Sequence, residues 1–242
     1  MAIKNTFFQF QQFKIEQKKS SMKVCTDSCL FGAWVAEKII INTINPTNIL
    51  DIGAGTGLLS LMLAQKINAA IDAIEIDTDS FQQTQENFGA SPWQGRLQVY
   101  NNDITKMDLK KQYDFIICNP PFFEGDLKSE TQSKNLAKHH DGLTLEELVD
   151  QIKNNLDDRG QFAVLLPFHR VEYFKNLAGN AGFFLAEELL AKQTPRHNYF
   201  RGLLLFSRTF VEIKTESLCI RDENNDYSSR FNQLLNHYYL NK

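Results

Sequence analysis

The segment DFIICNPPFF, residues 114–123, ends a predicted buried strand in an unusual corner. Asn119 is followed at once by Pro120, Pro121 and Phe122, and neither proline nitrogen can donate a backbone hydrogen bond. An ordinary turn would use glycine, asparagine, aspartate or a single proline and would not add aromatic side chains. The corner therefore presents one rigidly held polar side chain beside flat rings, which indicates a site where a substrate is held.

A glycine-rich loop precedes this corner in the chain. The segment ILDIGAGTGLLSL places Gly53, Gly55 and Gly57 between a predicted strand and a predicted helix, with Asp51 just ahead of them. Glycines let the backbone turn tightly and approach a ligand closely beside the positive end of a helix. A dinucleotide-binding loop has the spacing G-x-G-x-x-G, whereas this loop has G-x-G-x-G, so the pattern does not fit a dinucleotide.

Acidic residues end the next two predicted strands. Glu75 closes the second strand and is placed to accept hydrogen bonds from ribose hydroxyls, and Asp103 closes the third, where it could reach an adenine amino group. The carboxyl ends of parallel strands meet at one edge of the sheet, where folds of this kind bind their ligands. The three strand ends together predict a nucleoside-binding edge.

The glycine loop and the two acids resemble those of the class I methyltransferases that use S-adenosylmethionine. In that family the loop cradles the methionine part, the acid after the second strand holds the ribose, and an Asp after the third strand meets the adenine. The resemblance implies S-adenosylmethionine as the cofactor. The full predicted cofactor-binding set is Lys23, Thr26, Asp27, Asp51, Gly53, Gly55, Gly57, Glu75, Asp103 and Asn119.

The corner is similar to the Asn-Pro-Pro-Phe tetrad of amino-methyltransferases, in which the Asn side-chain oxygen and the carbonyl of the following Pro hold the target nitrogen. This likeness implies a catalytic group of Asn119, Pro120, Pro121 and Phe122. An exocyclic amino group is a poor nucleophile because its lone pair is delocalised into the ring. Two acceptors held in place favour a more pyramidal nitrogen, so the tetrad works by preorganisation instead of general-base catalysis. Phe122 gives a planar substrate a face on which to stack.

Such tetrads serve adenine N6, cytosine N4, guanine N2 and glutamine amides, and the N-terminal sequence selects among them. The segment FQFQQFKIEQKKSSMKVCTDSCLFGAWV resembles the start of the bacterial valine-tRNA adenine-N6 methyltransferases, and the likeness continues through AIEID, NPPFF and TPRHNYFRGLLLFSR. Those enzymes methylate the adenine just 3′ of the anticodon, so the resemblance implies tRNA as the partner. It also implies that Lys23, Thr26 and Asp27 close the cofactor pocket near its methionine end, although these residue types before a helix equally fit solvated or capping positions.

Three other functions fit part of the pattern. An rRNA guanine-N2 methyltransferase can share the tetrad but usually brings a duplicated or extra domain. A protein glutamine-N5 methyltransferase generally has Tyr where this chain has Phe122 and adds an N-terminal helical domain. A non-catalytic module that binds the cofactor or RNA would keep the fold without turnover, but the intact tetrad and both acids argue against it.

Two basic groups are candidates for RNA contact, although such runs also occur as plain solvated surface. Lys18 and Lys19 lie in the first group, between Lys14 and Lys23, and Arg196 and Arg201 lie in the second with His197. Tyr199 and Phe200, which lie between the basic residues of the second group, could stack on unpaired bases.

Metal binding is not expected. The loop that follows the tetrad carries Lys138, His139 and His140 with no accompanying Cys or carboxylate cluster, which predicts a loop near RNA instead of a metal site. The four cysteines contain no C-x-x-C pair, so they predict plain thiols in a reducing compartment.

These residues need a sheet to position them, and the chain predicts one. TNILDIG, AIDAIEID, RLQVYNND, YDFIICN and GQFAVLLP are short apolar strands separated by helical stretches, which is typical of a parallel sheet with helices on both faces. GFFLAEELLAK and RGLLLFSRTFVEI follow with little helix between them and predict an antiparallel pair. The predicted class is an α/β, Rossmann-like class I methyltransferase fold with a seven-stranded, mostly parallel sheet and an antiparallel last strand. We expect a single domain over residues 1–242, in which residues 1–25 form an N-terminal strand or hairpin followed by a basic loop. Thr26 or Asp27 is predicted to cap the helix that runs through SCLFGAWVAEKII.

The totals agree with this assignment. With 242 residues, of which 43% are hydrophobic, the chain can bury a large core. A formal charge of −3 and a pI near 6.0 do not mark a nucleic-acid binder, so any RNA contact must come from a local patch. No apolar run approaches the roughly 18 residues that cross a membrane, and the N-terminus has no apolar signal core, so we expect a cytoplasmic protein. We also expect a monomer.

Overall fold

Short apolar runs form an eight-stranded sheet in the computed structural model, which describes residues 5–20, 22–121 and 142–240. The strands are β3 (Asn48–Ile52), β4 (Ala70–Glu75), β5 (Leu97–Asn101), β6 (Tyr113–Cys118), β7 (Leu156–Pro167), β8 (Phe184–Lys192), β9 (Tyr199–Ser207) and β10 (Lys214–Cys219). Their order across the sheet is β10-β8-β9-β7-β6-β3-β4-β5. Only β9 runs against its neighbours β7 and β8, while the other pairs are parallel.

The seven predicted strands are present, and the predicted antiparallel strand is β9. The eighth strand, β10, was not predicted because its sequence KTESLC is polar and only Leu218 within it is buried. The sequence RGLLLFSRTFVEI predicts one strand, but β9 ends at Ser207 and a loop leads from there to β10 at the sheet edge. An edge strand with one face in solvent carries too little apolar patterning to be found by periodicity.

Helices cover both faces of the sheet, as predicted. They are α1 (Thr26–Ile41), α2 (Leu58–Lys66), α3 (Thr78–Gly89), α4 (Leu145–Asn155), α5 (Val171–Asn180) and α6 (Ser229–Leu235). One core cluster packs α1, α2 and α6 against one face, and a second packs α4 and α5 against the other. The carboxyl ends of β3, β4, β5, β6 and β7 therefore share one edge, where the predicted site residues follow them.

The N-terminal segment forms the predicted hairpin, β1 (Phe7–Gln9) and β2 (Lys14–Glu16). Phe10, Phe13 and Ile15 are buried in the same core cluster as α1 and α2. The Asn87 side chain on α3 accepts from the Glu16 backbone N–H at 2.9 Å and donates to the Glu16 carbonyl at 2.9 Å. The hairpin is thus attached to the helix that follows β4.

The predicted cap of α1 is wrong. The residue at the N-cap is Cys25, which makes no side-chain capping bond, and Thr26 is already the first helical residue. Asp27 is the second helical residue, and its Oδ1 atom accepts from the backbone N–H of Ser28 at 3.0 Å while its Oδ2 atom accepts from Nε of Arg201 at 2.7 Å. In the described ranges no helix combines the length and the apolar character that a membrane span requires.

Candidate active site

The glycine loop turns through backbone conformations that side chains rarely adopt. Gly53, Gly55 and Gly57 have φ angles of 77°, 59° and 78°, in the left-handed region that favours glycine. A Cβ atom added to Gly53 or Gly55 would meet no atom within 4 Å, whereas one added to Gly57 would lie 2.6 Å from Cε1 of Phe88. The space over the first two glycines is therefore open to a ligand, while the third packs against α3.

Glu75 lies at the end of β4 and holds this loop. Its Oε2 atom accepts from the backbone N–H of Gly55 at 2.7 Å, and its Oε1 atom accepts from that of Asp77 at 2.9 Å. The sequence predicted a ribose acceptor at this position. Each carboxylate oxygen has a second lone pair, so the same group that orders the loop can also accept from a ligand hydroxyl.

Asp51 is fully buried in β3 behind the loop. Its Oδ2 atom accepts from the hydroxyl and the backbone N–H of Ser60 at 2.6 and 3.2 Å. Its Oδ1 atom has no hydrogen-bond partner among the residues that the structure describes. Burial raises the pKa of Asp51 to about 6, and the charge of Glu75 adds to the shift while the bonds from Ser60 oppose it. A buried acceptor without a partner is costly unless a ligand satisfies it.

Asp103 follows β5 and caps the short 3-10 turn Ile104–Lys106. Its Oδ1 atom accepts from the backbone N–H and the hydroxyl of Thr105 at 2.9 and 2.7 Å, and Lys106 lies 3.0 Å from Oδ2. Partial burial acts to raise the pKa of Asp103, but the hydrogen bonds from Thr105 and Lys106 outweigh it and the pKa is lowered. The residue is thus an ionised acceptor at the third strand end.

Asn119 follows β6 and has one half of its amide held by α1. Its Nδ2 group donates to the Ser28 hydroxyl at 3.0 Å, and that hydroxyl lies 3.0 Å from the Cys25 sulfur, to which it can donate its own proton. The Oδ1 atom of Asn119 is buried and has no hydrogen-bond partner in the described part of the chain. The amide therefore keeps a free acceptor at the corner.

A pocket opens beside this corner and was not predicted from the sequence. Pro120 and Pro121 form one wall, and Leu166, Pro167, His169 and Arg170 line the side that follows β7. The lining is mostly apolar, and the Arg170 guanidinium and the His169 imidazole supply its polar groups. Phe122, the last residue of the tetrad, lies outside the described residues, as do Lys138, His139 and His140.

The first turn of α1 lies next to the corner through a side-chain contact. The Lys23 ammonium donates to the carbonyl groups of Gln17 and Ser20, so it ties the chain that leads into α1. Asp27 accepts from Nε of Arg201 at 2.7 Å, and the adjacent Ser28 contacts Asn119. The beginning of α1, including Thr26, therefore lies between the tetrad and the beginning of β9.

The predicted RNA-contact residues differ in their surroundings. Lys18 is exposed, whereas Lys19 forms an ion pair with Glu86 on α3 at 2.6 Å. Arg196 is exposed in a groove that Asp222 and Glu223 also line. Arg201 is engaged with Asp27 as described. Among the described residues no cluster of His, Cys, Asp and Glu could hold a metal ion.

Sequence reasoning missed two side chains of α3 that hold the loop. Thr84 donates its hydroxyl to the carbonyl of Gly55 at 2.8 Å, and Asn87 donates to that of Thr56 at 2.9 Å. They lie three residues apart on one helix face. In the sequence, two polar residues at this spacing look the same as the solvent-exposed face of an ordinary helix. Ser28 was missed for a similar reason, since its role depends on contact with a distant strand end.

Comparisons with known proteins agree with this geometry. The methyltransferase small domain family matches residues 22–178. A tRNA1(Val) (adenine(37)-N6)-methyltransferase of Cytophaga hutchinsonii is 39% identical over 242 residues, which cover 98% of this chain and 99% of that protein. A protein of the same name from Flavobacterium psychrophilum is 37% identical over 96% of this chain and 99% of its own length. The crystal structure of a predicted O-methyltransferase from Agrobacterium tumefaciens superposes with a TM-score of 0.65, at 16% identity, over 87% of this chain and 96% of that one, and supports the fold alone.

The buried carboxyl of Asp51 predicts a specific pH dependence of stability. Its folded-state pKa of about 6 lies above its ordinary value of 3.8, so the folded protein binds the extra proton between these values. This contribution to the free energy of unfolding is present at low pH and is lost as pH rises to about 6. Relative to Asp51→Asn, the wild type should lose roughly 2–3 kcal/mol between pH 4 and pH 7 in urea denaturation. Asp79→Asn, which changes an exposed carboxylate, should leave the wild-type profile intact, and identical profiles for wild type and Asp51→Asn would contradict the assignment.

Proposed function

This chain belongs to the methyltransferase small domain family and, within it, to the tRNA1(Val) (adenine(37)-N6)-methyltransferases, and we propose that it methylates N6 of an adenine in tRNA. By the relatives' name, the target is adenine 37 of tRNA1(Val). The observation that carries the proposal is the buried Oδ1 atom of Asn119, which has no partner among the described residues and lies at the same sheet edge as the open glycine loop.

S-adenosylmethionine is the methyl donor, and it supplies a methyl group on a positively charged sulfur that a nitrogen can attack. The residues fit this cofactor because the space over Gly53 and Gly55 is open and the buried Oδ1 atom of Asp51 lacks a partner among the described residues. We assign the ribose to Glu75 and the adenine amino group to Asp103. Lys23, Thr26, Asp27, Gly57 and Asn119 complete the proposed cofactor set.

The tetrad acts on the substrate by holding its amino group. The Oδ1 atom of Asn119 and the carbonyl of Pro120 accept the two hydrogens of the adenine amino group, which directs the nitrogen lone pair away from both acceptors. Because Ser28 and the prolines hold these acceptors in advance, little reorganisation is needed when the reaction occurs. Pro121 and Phe122 complete the catalytic group, and we assign to Phe122 the face on which the flipped base stacks.

The tRNA is bound by residues around this edge. We propose Lys18 and Arg196 as phosphate contacts because both are exposed. Lys19 and Arg201 can contribute only by sharing or exchanging their carboxylate partners Glu86 and Asp27. We further propose that residues 1–242 act as one domain, that the protein is a monomer and that it works in the cytoplasm, where tRNA is modified.

The function is tested by incubating the protein with radiolabelled S-adenosylmethionine and unmodified valine tRNA. Label should appear in the tRNA and be recovered as N6-methyladenosine after digestion. Asn119→Ala should lower turnover by about 10²-fold or more, as loss of one preorganised polar contact does elsewhere, and should leave cofactor affinity measured by calorimetry unchanged. Bound cofactor with no label in any tRNA would refute the function, and an active Asn119→Ala variant would refute the role of the tetrad.

The contact between Ser28 and Asn119 predicts a positioning effect. Ser28→Ala removes the acceptor for Nδ2, so we expect kcat to fall roughly 2- to 10-fold, the value of one neutral hydrogen bond, with KM for tRNA unchanged. Ser28→Thr keeps the hydroxyl and should recover activity. Ser207→Ala, which removes a buried hydroxyl at the far end of β9, serves as the control. Equal kcat values for Ser28→Ala and the control would show that Ser28 does not orient the amide.

The basic residues predict a change in salt dependence. Replacing Lys18 and Arg196 together with alanine should raise KM for tRNA and leave cofactor affinity unchanged, because phosphate contacts do not take part in the chemistry. The logarithm of the tRNA binding constant falls linearly with the logarithm of the salt concentration, and each lost contact should reduce the steepness of this salt slope by about 0.7 to 0.9. Lys110→Ala, at an exposed position paired with Asp108, is the matched control. A slope identical to the wild type would place the contact surface elsewhere.

A further inference from the structure

The short 3-10 turn Phe168–Arg170 carries an exposed aromatic ring and a half-buried guanidinium next to the proline corner. The Phe168 side chain is 40% exposed, although it directly follows the buried carboxyl end of β7. Pro167 and Arg170, on either side of it, line the pocket whose opposite wall is Pro120 and Pro121. The turn is therefore adjacent to the place where the target base is proposed to enter.

The beginning of β9 adds a second ring to this turn. Tyr199 and Phe168 have ring centroids 5.3 Å apart, and the Lys192 ammonium lies 4.6 Å from the Tyr199 centroid. The Tyr199 hydroxyl lies 3.1 Å from the hydroxyl of Ser217 on β10, which holds the ring in place. A further pair follows in α5, where the Arg170 guanidinium lies 4.6 Å from the ring of Tyr173.

A local irregularity of the sheet explains why Tyr199 reaches this position. Arg201 pairs with Ala191 while Tyr199 pairs with Lys192, so Phe200 is an extra residue in β9. Such a bulge shifts the side chains that precede it to the other face of the sheet. Phe200 packs against the core cluster of α1, whereas Tyr199 lies with Phe168.

We propose that Phe168 and Tyr199, with Lys192 and Arg170 beside them, form a stacking surface for an unpaired tRNA nucleotide next to the target adenine. This inference rests on the proposed function. A base that is flipped for chemistry leaves its neighbours without a stacking partner, and exposed aromatic rings with adjacent cations bind such bases and their phosphates. Lys192 and Arg170 provide positive charge next to the rings, and the acids near them are Glu146, which accepts from the Tyr173 hydroxyl, and Glu172, which pairs with Lys175.

A second exposed aromatic group provides a natural contrast. Phe184 and Phe210 have centroids 5.7 Å apart, and Phe210 is 74% exposed. Phe184 pairs with Ser207 at the far end of β9, opposite the end at which Tyr199 pairs with Lys192. These rings are thus remote from the tetrad, and Phe210→Ala is a matched control for loss of an exposed ring.

The test is binding of an unmodified valine tRNA transcript, followed by fluorescence anisotropy at several salt concentrations. Phe168→Ala combined with Tyr199→Ala should weaken binding roughly 5- to 100-fold per stacked base, with the salt slope unchanged because no cation is removed. Lys192→Ala should instead reduce the salt slope by about 0.7. Tyr199→Phe keeps the ring and should bind as the wild type does, as should Phe210→Ala.

Two further arms make the result decisive. A fully paired RNA duplex of similar length should bind the double variant and the wild type equally, because it offers no unpaired base. Melting temperatures and calorimetric cofactor affinity of the variants should match the wild type. The inference is overturned if the double variant binds tRNA like Phe210→Ala while the wild type methylates tRNA normally, or if duplex binding weakens to the same extent. Failure of the wild type to methylate any tRNA would instead refute the proposed function.

Discussion

The site depends on the attachment of the glycine loop to the end of β4. The backbone N–H groups of Gly53 and Ala54 both donate to the carbonyl of Ile74, at 2.9 and 3.1 Å, and that of Gly55 donates to the Glu75 carboxylate at 2.7 Å. These bonds use three successive donors and hold the backbone in the left-handed conformation that only glycine adopts without strain. The side chains of Thr84 and Asn87 of α3 donate hydrogen bonds to backbone carbonyl groups of the same loop. Because bonds from both sides fix the shape of the loop, this shape does not depend on a ligand. The surface that would face a ligand can therefore stay open.

The catalytic corner depends in turn on α1. The helix begins between β6 and β9, with Ser28 bonded to Asn119 and Asp27 paired with Arg201. Half-buried ion pairs add little net stability, but they specify one arrangement of their partners. Here the arrangement links the amide of Asn119 to the strand that begins with the half-buried rings of Tyr199 and Phe200. Two buried acceptors at this edge, Oδ1 of Asp51 and Oδ1 of Asn119, have no hydrogen-bond partner among the described residues. They come from neighbouring strands, since Asp51 in β3 pairs with Ile117 in β6, two residues before Asn119.

Prediction from the sequence succeeded where a residue's position follows from the end of a strand. The parallel strands, the left-handed glycines and the acids at the ends of β4 and β5 all follow from local patterns that allow few alternatives. It failed where tertiary contacts decide. The cap of α1 was wrong because the helix already begins at Thr26, which leaves Cys25 at the N-cap, and β10 was missed because a polar edge strand has no distinct periodicity. The contacts of Ser28 and Thr84 and the bulge at Phe200 join segments that are distant in sequence. The residues around each of them carry no pattern that predicts these contacts.

The central claim is that the Asn119 corner methylates an amino group of an unpaired adenine. The most direct measurement is mass-spectrometric mapping of nuclease fragments from valine tRNA treated with the protein and S-adenosylmethionine. The account predicts one added methyl group, on N6 of a single adenine in the anticodon loop, and none in the same tRNA treated with Asn119→Ala. A methyl group on guanine N2, on several adenines in paired stems, or on a protein amide in place of the tRNA would contradict it.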